Sequence, residues 1–486
     1  MTRKRDSIIR LTAPYLILLI MAFAVWAYFQ TCYSYTFYYK EQNQLFLLSG
    51  DYIATYFTKP AWAACLAGDF LTQFFYYMYA GAAIFAALIL LLGTTAYKSL
   101  CLAGFFRPIS LLAAVCAMAV MTTFNFNPDY RMSSLMCVLG GLLSFLPYSL
   151  LLRRKPMVRL VVFYILSSLC VWMFNFGFVV FLILFAIAEA RLAIRQEEHS
   201  ITTSKAGKVF VPLCMTFLPI YYIACTKYPV DPTTCRSYPG IGDVGLPRQD
   251  IEDYLEADNL YYFGRYEELS AKVESMKSPS REVTFYYYLA MARQGLLPHK
   301  LRSVKPVNLG TLYEIGPKST PTEIKMVNEL YFALGDMTLA EREALLSCVF
   351  SRDNRNVRMI KRLAETNLVA GDNEAAMKYL RILDKTIAYR KWSQANRPGR
   401  INPMLREMQQ YAVKDDTIRL NAKCRDVLTN LLRANPKNRI ALDYLLCTDY
   451  LVGAREMFAE DMKTYYIPQY GMPTEQMYRM LYGGER

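Results

Sequence analysis

Carboxylates in the loops between apolar runs are the side chains of this sequence with the clearest capacity for chemistry. Asp51 and Asp69 fall in a long loop at residues 30–69, and Asp129 falls in a short loop after the third apolar run. A carboxylate beside an acceptor hydroxyl can take its proton. Lys40 and Arg131, in the same two loops, are cations able to hold a phosphate group. We therefore consider the three aspartates as candidate catalytic residues and the two cations as candidate phosphate-binding residues.

The same aspartates have ordinary structural interpretations. Asp69 and Asp129 each precede an apolar run, where an acidic residue favours a helix N-terminus. Asp51 follows Gly50 and could simply form a turn. Loops that face water need polar residues in any case, and short patterns of this kind are weak evidence for a site. The structural interpretation is the favoured one.

The apolar run at residues 160–192 determines how these loops are oriented. It carries no charge before Glu189. At ~1.5 Å per residue it is longer than one crossing of a ~30 Å bilayer core requires. Basic residues flank it on both sides, so both flanks are expected in the cytoplasm. The run is therefore predicted to form a helical hairpin that turns near Asn175 and Gly177, residue types that permit a tight turn.

Residues 1–228 are predicted to form a transmembrane domain of about seven spans. The predicted spans are residues 8–29, 70–97, 109–124, 132–152, the two arms of the hairpin, and 209–225. Gly140 and Gly141 are expected to allow close helix contact. The first outer loop, residues 30–69, is expected to hold one or two helices along the membrane surface. Lysine and arginine concentrate in alternate loops, which favours a cytoplasmic N-terminus and, after an odd number of crossings, an extracytoplasmic C-terminal half.

The composition limits the classes of partner and cofactor that we expect. The formal net charge is +14, but in the membrane half the cations lie mainly beside the loops assigned to the cytoplasm, so nucleic acid is not an expected partner. The lipid bilayer is the expected environment, and the basic loops favour anionic head groups. No P-loop and no GxGxxG motif opening a helix appears, so no cofactor is predicted. The two histidines are isolated and no metal site can be built at the usual spacings.

The cysteines give no disulfide framework. Twelve are present without a CxxC pair. Cys225 and Cys235 flank the junction between the two halves and could pair if that side of the membrane is oxidising. Two unpaired thiols are the favoured interpretation, because nothing else resembles a disulfide scaffold.

Residues 229–247 are rich in proline, glycine and aspartate and are predicted to be a linker, and residues 248–486 are predicted to be helical throughout. Residues 351–383 resemble a tetratricopeptide repeat, with a turn at Gly371-Asp372. The stretch from Asn435 to Gly453 resembles a second unit, but the expected tryptophan is absent and the spacing drifts from the usual ~34 residues. The resemblance implies an all-α protein in which a transmembrane bundle precedes a TPR-like solenoid. It also implies that the concave face of the solenoid binds a protein partner.

The acidic outer loops and the repeat-like tail are similar to glycosyltransferases of the GT-C type. That resemblance implies a lipid-linked sugar as donor, one of Asp51, Asp69 and Asp129 as the base, and Lys40 or Arg131 on the donor phosphate. This sequence departs from that class because its first loop lacks an adjacent Asp-Asp or Asp-Glu pair and its membrane module is small.

The blocks at residues 39–42 and 69–74, together with the tail, resemble an uncharacterised family of Bacteroidota polytopic membrane proteins. This resemblance implies a multi-pass inner-membrane protein with its C-terminal domain in the periplasm. The leading hypothesis is a membrane-anchored protein that presents a TPR-like domain for protein interaction in the cell envelope. The alternative is a GT-C-like enzyme that transfers a sugar to an envelope acceptor. Charges within the spans are nearly absent, which argues against an ion pump.

Overall fold

Regular structure in this protein is entirely helical across the residues that the computed structural model describes, which are 2–194, 201, 225–305, 307–313, 320–413 and 424–470. The all-α prediction is confirmed for those residues. The chain divides into two compact units. The first unit comprises residues 1–41 and 46–248, and the second comprises residues 42–45 and 249–486. Four residues of the first outer loop, Gln42–Leu45, thus belong to the second unit.

Six helices of the first unit are long and apolar enough to cross a membrane. They are Thr2–Cys32, Ala80–Leu102, Arg107–Phe124, Met132–Ser149, Pro156–Phe174 and Gly177–Ile194. Helix Thr2–Cys32 is apolar only from Thr12 onward. This protein is therefore a multi-pass membrane protein. The predicted seventh span at residues 209–225 lies outside the described residues, except for Cys225.

The predicted hairpin at residues 160–192 is confirmed. Its helices end at Phe174 and restart at Gly177, and Asn175 between them has φ +42°. Its ψ of −112° lies far from helical values, so the backbone cannot continue the helix through this residue. The predicted close contact of Gly141 is also confirmed, because a Cβ there would lie 2.1 Å from the carbonyl oxygen of Gly177. Small residues let these two helices approach at backbone distance.

The first outer loop is more structured than its sequence indicates. It contains the helices Tyr35–Gln42, Gly50–Ala54 and Trp62–Thr72, with 3₁₀ turns at Thr55–Thr58 and Gln73–Tyr76. The prediction that the second span begins at Phe70 is wrong, since the spanning helix begins at Ala80. The apolar run is continuous in sequence, but Tyr79 adopts φ +70° and breaks the helix.

The spanning helices alternate in direction, which gives the bundle two ends. The loop end carries residues 33–79, 125–131 and 175–176, and the basic end carries residues 103–106 and 150–155. At the basic end, Arg159 forms an ion pair of 2.9 Å with Glu189 and donates a hydrogen bond to the carbonyl of Leu152. The hydroxyl of Tyr148 donates to Glu189 at 2.6 Å. These charges lie near helix ends and satisfy one another, as buried charges require.

The segment that leads to the second unit contacts the loop end. The side-chain amide of Asn175 donates to the carbonyls of Cys235 and Tyr238, at 2.6 and 2.9 Å. The amide of Gly245 donates to the carbonyl of Thr123, at 3.1 Å. The predicted linker at residues 229–247 therefore has fixed contacts with the first unit over part of its length, in addition to joining the two units.

The second unit is built from short helices joined by tight turns. Its longer helices are Gln249–Tyr262, Tyr266–Ser275, Arg281–Arg293, Pro321–Ala333, Met337–Phe350, Val357–Ala370, Asn373–Leu383, Pro403–Tyr411, Cys424–Ala434, Arg439–Leu451 and Arg455–Tyr465. Shorter helices lie at Leu297–Lys300, Leu309–Leu312 and Arg390–Ala395. Turns between consecutive helices repeatedly contain a glycine with positive φ, namely Gly264, Gly295, Gly335, Gly371 and Gly453. Glycine adopts this conformation without the steric cost that a Cβ carries.

The turn predicted at Gly371-Asp372 within residues 351–383 is confirmed, and it joins the two helices of a hairpin. Its first helix ends at Ala370, Gly371 turns with φ +86°, and the side chain of Asp372 caps the next helix by accepting from the amide of Ala375 at 2.9 Å. Leu363 and Leu380, on the two helices, are buried. A helical hairpin forms where a glycine ends one helix and an aspartate begins the next.

Candidate functional site

Lys40 joins the two predicted outer loops. It lies in helix Tyr35–Gln42 and is buried, and its ammonium donates to the side-chain and backbone oxygens of Asn125. The same ammonium lies 5.8 Å from the centre of the Tyr130 ring. The structure thus brings Lys40 to the turn that carries Asp129 and Arg131. The amine is occupied by contacts that hold the two loops together.

Asp69 lies within helix Trp62–Thr72 and not at its N-terminus, so the helix-end interpretation of this residue is wrong. Its carboxylate accepts a hydrogen bond of 2.9 Å from the hydroxyl of Tyr56, which lies 3.3 Å from the hydroxyl of Tyr52. Burial raises the pKa of Tyr56 strongly, and the charge of Asp69 raises it further. Tyr56 therefore keeps its proton and serves as a donor to Asp69.

The other predicted residues lie in more open positions. Asp51 is exposed in the first turn of helix Gly50–Ala54. Asp129 is also exposed, and its backbone amide donates to the side chain of Asn127 at 2.9 Å. Arg131 is the residue before helix Met132–Ser149, so Asp129 does not cap that helix. These contacts give a glycosyltransferase-like site no support, because Lys40 is engaged with Asn125 and Asp69 with Tyr56.

A group of five buried charged residues lies in the second unit. Asp258, Lys325, Glu329, Arg358 and Arg362 form what we call the buried ion cluster, and none of them is more than 5% exposed. They come from helices Gln249–Tyr262, Pro321–Ala333 and Val357–Ala370. Charges are seldom buried to this extent unless each finds an opposite partner.

Arg358 is the centre of the buried ion cluster. Its guanidinium binds Asp258 through two nitrogens, at 2.8 and 2.9 Å, and Glu329 through one, at 2.8 Å. Lys325 donates to Asp258 at 2.7 Å, and Arg362 pairs with Glu329. The planar, five-donor guanidinium suits this forked geometry better than an ammonium would.

The buried carboxylates stay ionised. Burial alone would raise the pKa of Asp258, but the charges of Arg358 and Lys325 outweigh burial and hold that pKa well below its usual range. The pKa of Glu329 is lowered in the same way, against burial, by Arg362 and Arg358. The two carboxylates of the buried ion cluster therefore remain charged at neutral pH, and the cluster joins three helices.

The residues Gln42–Leu45, which we call the loop clip, are bound at the buried ion cluster. The side chain of Gln42 accepts from Arg358 at 2.8 Å and donates to Asn259 at 2.7 Å. The amide of Val357 donates to the carbonyl of Gln44 at 3.0 Å, and Asn356 donates to Asn43 at 3.1 Å. Gln42 is 2% exposed, so these bonds are shielded from water. The loop clip thus supplies groups that the core of the second unit needs.

A model of the family DUF6057, a family of unknown function, matches residues 8–479. The chain belongs to this family. No curated protein and no solved structure matched the chain. Membership in DUF6057 confirms the predicted relation to an uncharacterised family, and the function has to be argued from the structure itself.

The residues that organise this DUF6057 protein were missed in the sequence because charged side chains usually face water. Lys325 and Glu329 are four residues apart, and so are Arg358 and Arg362, a spacing that places each pair on one helix face. That spacing could have placed the charges on two helix faces, but the ion pairs that form join different helices. It could not have indicated that the pairs are buried together, or that Gln42 reaches them.

A second group of buried carboxylates lies in the last helical hairpin. Burial raises the pKa of Asp443 to about 7, even though Arg439 lies 3.5 Å away. Burial also raises the pKa of Asp449 to about 7, and a hydrogen bond with Asp461 contributes. Arg425 pairs with Asp449 and with Asp461, at 2.6 Å in each case. Asp443 and Asp449 therefore change protonation near neutral pH, unlike the carboxylates of the buried ion cluster.

Proposed function

We propose that this protein is a multi-pass inner-membrane protein that presents its second unit outside the cytoplasm for interaction with another envelope protein. The observation that carries the proposal is the loop clip. Residues 42–45 lie between the first and second spanning helices, yet they complete the core of the second unit. This arrangement supports a second unit that folds on the same side of the membrane as the first outer loop.

The path of the chain into the second unit also supports a second unit on the same side of the membrane as the first outer loop. Cys235 and Tyr238 bind Asn175, in the turn between the fifth and sixth spanning helices. The amide of Arg248 donates to the hydroxyl of Tyr33, which directly follows the first spanning helix. Both contacts lie at the loop end, so the chain starts the second unit from that end.

The distribution of cations supports the orientation. Arg107 and the run Arg153-Arg154-Lys155 lie at the basic end. Arg3, Lys4 and Arg5 lie at the start of helix Thr2–Cys32, before its apolar part begins at Thr12, and so belong to the same end. Short cytoplasmic loops carry an excess of lysine and arginine. The basic end then faces the cytoplasm, and the loop end faces the periplasm.

An exposed apolar surface supports a protein partner. Helix Met337–Phe350 exposes Leu345, Val349 and Phe350 by 46%, 62% and 57%. An open groove of about 440 Å³ follows this helix, lined by Thr338, Glu341, Arg342, Leu345, Leu346 and Val349. The lining residues recur every three or four positions along one helix face, which suits an apolar helix of a partner laid alongside. Apolar side chains grouped in this way on a surface are typical of interaction sites.

Labelling with a membrane-impermeant maleimide in spheroplasts tests the orientation. We would place one cysteine at Lys378, exposed in the second unit, and a matched one at Arg154, exposed at the basic end, in a chain whose exposed Cys32 is serine. The proposal predicts labelling of Lys378→Cys in intact spheroplasts and of Arg154→Cys only after permeabilisation. The opposite pattern would overturn the proposal.

Photo-crosslinking tests the partner surface. A photoreactive amino acid at Val349 should give a discrete adduct in cells, and the change Leu345→Asp should remove it because a charge on the apolar face costs binding energy. The matched control is the exposed Glu374 on another helix. Equal adducts at Glu374, or none at Val349, would contradict a partner at this surface.

A further inference from the structure

A set of exposed cations in the second unit is distinct from both the buried ion cluster and the groove along helix Met337–Phe350. Residues 378–406 contain eight lysines and arginines and a single acidic residue, Asp384. We propose that the exposed cations of this segment form a docking surface for the head groups of anionic phospholipids. The proposal goes beyond the proposed function and does not depend on it, because it requires only a chain that is embedded in a membrane.

Five exposed cations of this segment form what we call the basic face. They are Arg381, Lys385, Arg390, Lys391 and Arg400. None of the five pairs with a carboxylate in the part of the chain that the structure describes, and the ion pair of this segment joins Arg397 with Asp384 at 2.7 Å. By contrast, Lys300 in another helix of the second unit pairs with Glu274 at 2.9 Å. The basic face therefore carries positive charge that the described carboxylates do not neutralise.

Asp384 brings the cations of the basic face together. Its carboxylate accepts from the guanidinium of Arg397 at 2.7 and 2.8 Å, and its carbonyl accepts from the guanidinium of Arg390 at 2.8 Å. Asp384 directly follows helix Asn373–Leu383. Helix Arg390–Ala395 and the turn after it are thus held against the end of that helix. The five cations lie around one carboxylate, which Arg397 already neutralises.

A tight turn places two arginines of this segment opposite each other. The backbones of Arg397 and Arg400 exchange two hydrogen bonds, of 2.8 and 2.7 Å, across Pro398 and Gly399. Gly399 has φ +80°, a conformation that suits glycine at the third position of a turn. Like charges directly opposite each other repel. An anion bound at the exposed Arg400 reduces this repulsion, because the carboxylate of Asp384 is occupied by Arg397.

The surroundings of the basic face favour a lipid surface over a small anion. The five cations lie on three separate elements and are open to solvent. A site for one small ligand is instead concave, with a few polar groups that converge on it. An anionic bilayer offers many head groups at once and attracts polybasic segments without a pocket. The dispersed cations therefore match a surface of repeated phosphates.

The same surroundings favour a lipid surface over a partner protein. The fully buried centre of a protein interface is rich in apolar side chains. Within residues 378–406, all of which the structure describes, only Met404 is an exposed large apolar side chain, at 36%. The chain is also anchored in a bilayer by its spanning helices, so a membrane surface is always available to it.

Photo-crosslinking to added vesicles tests the proposal. The full chain is held in nanodiscs of phosphatidylcholine and carries a photoreactive amino acid at Gln394, which is exposed in helix Arg390–Ala395. The matched control carries the same amino acid at the exposed Gln294. Vesicles of phosphatidylcholine with or without phosphatidylglycerol are added, and peptide mass spectrometry measures phospholipid adducts. We expect adducts at position 394 only with phosphatidylglycerol, and none at position 294.

A charge variant makes the expected effect quantitative. The variant neutralises three cations of the basic face, Lys385→Gln/Lys391→Gln/Arg400→Gln. Each cation near an anionic leaflet strengthens binding about fivefold, so the apparent affinity for the vesicles should fall about a hundredfold. The control variant neutralises three exposed cations elsewhere in the second unit, Lys277→Gln/Arg433→Gln/Lys437→Gln, and should bind like the parent. Equal affinities for the two variants would overturn the proposal, as would equal adducts with and without phosphatidylglycerol.

Two further arms distinguish other ligands. Sodium phosphate and sodium chloride at the same ionic strength should suppress the adduct equally, because both screen charge. Suppression by phosphate alone would assign the basic face to free phosphate and overturn the lipid surface. In irradiated cells, the residue at position 394 should again yield phospholipid adducts, and a protein adduct in their place would overturn the proposal. The adduct at Val349 tests the proposed protein partner separately, so either proposal can fail while the other stands.

Discussion

Replacing Arg358 by methionine should unfold the second unit much more easily than any surface change. The substitution keeps most of the side-chain volume and removes the charge. Asp258 loses two hydrogen bonds, of 2.8 and 2.9 Å, and Glu329 loses one of 2.8 Å. Gln42 loses the donor on its side-chain oxygen. All of these groups are buried, so water cannot replace the lost partner.

The size of the effect can be worked from the partners that remain. Breaking a buried ion pair by removing one member typically costs about 3–5 kcal/mol. Asp258 keeps Lys325 at 2.7 Å, and Glu329 keeps Arg362. We therefore expect the lower part of that range, about 3 kcal/mol. The matched control is Arg265→Met, because Arg265 is 43% exposed and its partner Glu268 is 57% exposed. An exposed pair contributes about 0–1 kcal/mol.

Pulse proteolysis in a urea series, on the full chain in detergent and with a C-terminal tag, measures this difference. With a urea m-value of about 2–3 kcal/mol/M, a loss of about 3 kcal/mol lowers the midpoint by about 1 M or more. The Arg265→Met control should stay close to the wild type. Equal midpoints for Arg358→Met and Arg265→Met would refute the view that the buried ion cluster holds the second unit together.

Three further predictions use the same assay. Gln42→Ala should destabilise the second unit by about 1–3 kcal/mol, because it leaves buried polar groups without partners, whereas Leu48→Ala, at an exposed position of the same loop, should not. Asp443 has a pKa of about 7 when folded and about 3.9 when unfolded, so the folded state binds more protons between these values. The urea midpoint should therefore fall as pH rises from 5.5 to 7.5, and Asp443→Asn should reduce that slope; an unchanged slope would count against the assignment. Gly371→Ala should cost about 1–2 kcal/mol for its positive φ alone. Gly335→Ala should cost more than Gly371→Ala, since its Cβ would lie 3.0 Å from the Tyr411 ring; the reverse order would contradict this account of the turns.

Local signals made the helical hairpins predictable. Asn175 and Gly177 interrupt an apolar run too long for one span, and the structure turns there. Gly371 and Asp372 end one helix and begin the next, and both act as their residue types suggest. In each case the deciding residues are neighbours in sequence, so backbone preferences alone carry the information.

Long-range contacts were not predictable in this way. Gln42 and Arg358 are 316 residues apart. Glutamine and arginine usually lie at the surface, so neither residue type predicts a buried contact. Asp258 has no distinguishing neighbour in sequence, and its burial depends on three helices meeting. The residue pattern of one segment indicates the local conformation that the segment favours. It does not indicate which residues from distant segments will contact it in the folded protein.

The predicted aspartates illustrate the same limit at the candidate site. The order of the loops did not indicate that Lys40 contacts the second loop, near Tyr130. It did not reveal that Asp69 lies inside a helix and takes a hydrogen bond from Tyr56, because the break at Tyr79 shifts the start of the following span. The composition of residues 229–247 predicted a linker. It did not indicate that the carbonyl of Cys235 accepts a hydrogen bond from Asn175.

A cross-link between the loop clip and the rest of the second unit tests the central claim most directly. Asn43 and Asn356 share a side-chain hydrogen bond of 3.1 Å, so cysteines at both positions lie within reach of a short bis-maleimide. A protease site inserted between residues 195 and 208 would separate the two halves of any chain that is not cross-linked. We predict that Asn43→Cys/Asn356→Cys stays as one band after cleavage, whereas the control Asn43→Cys/Lys378→Cys separates into two. Complete separation of both variants would contradict the account.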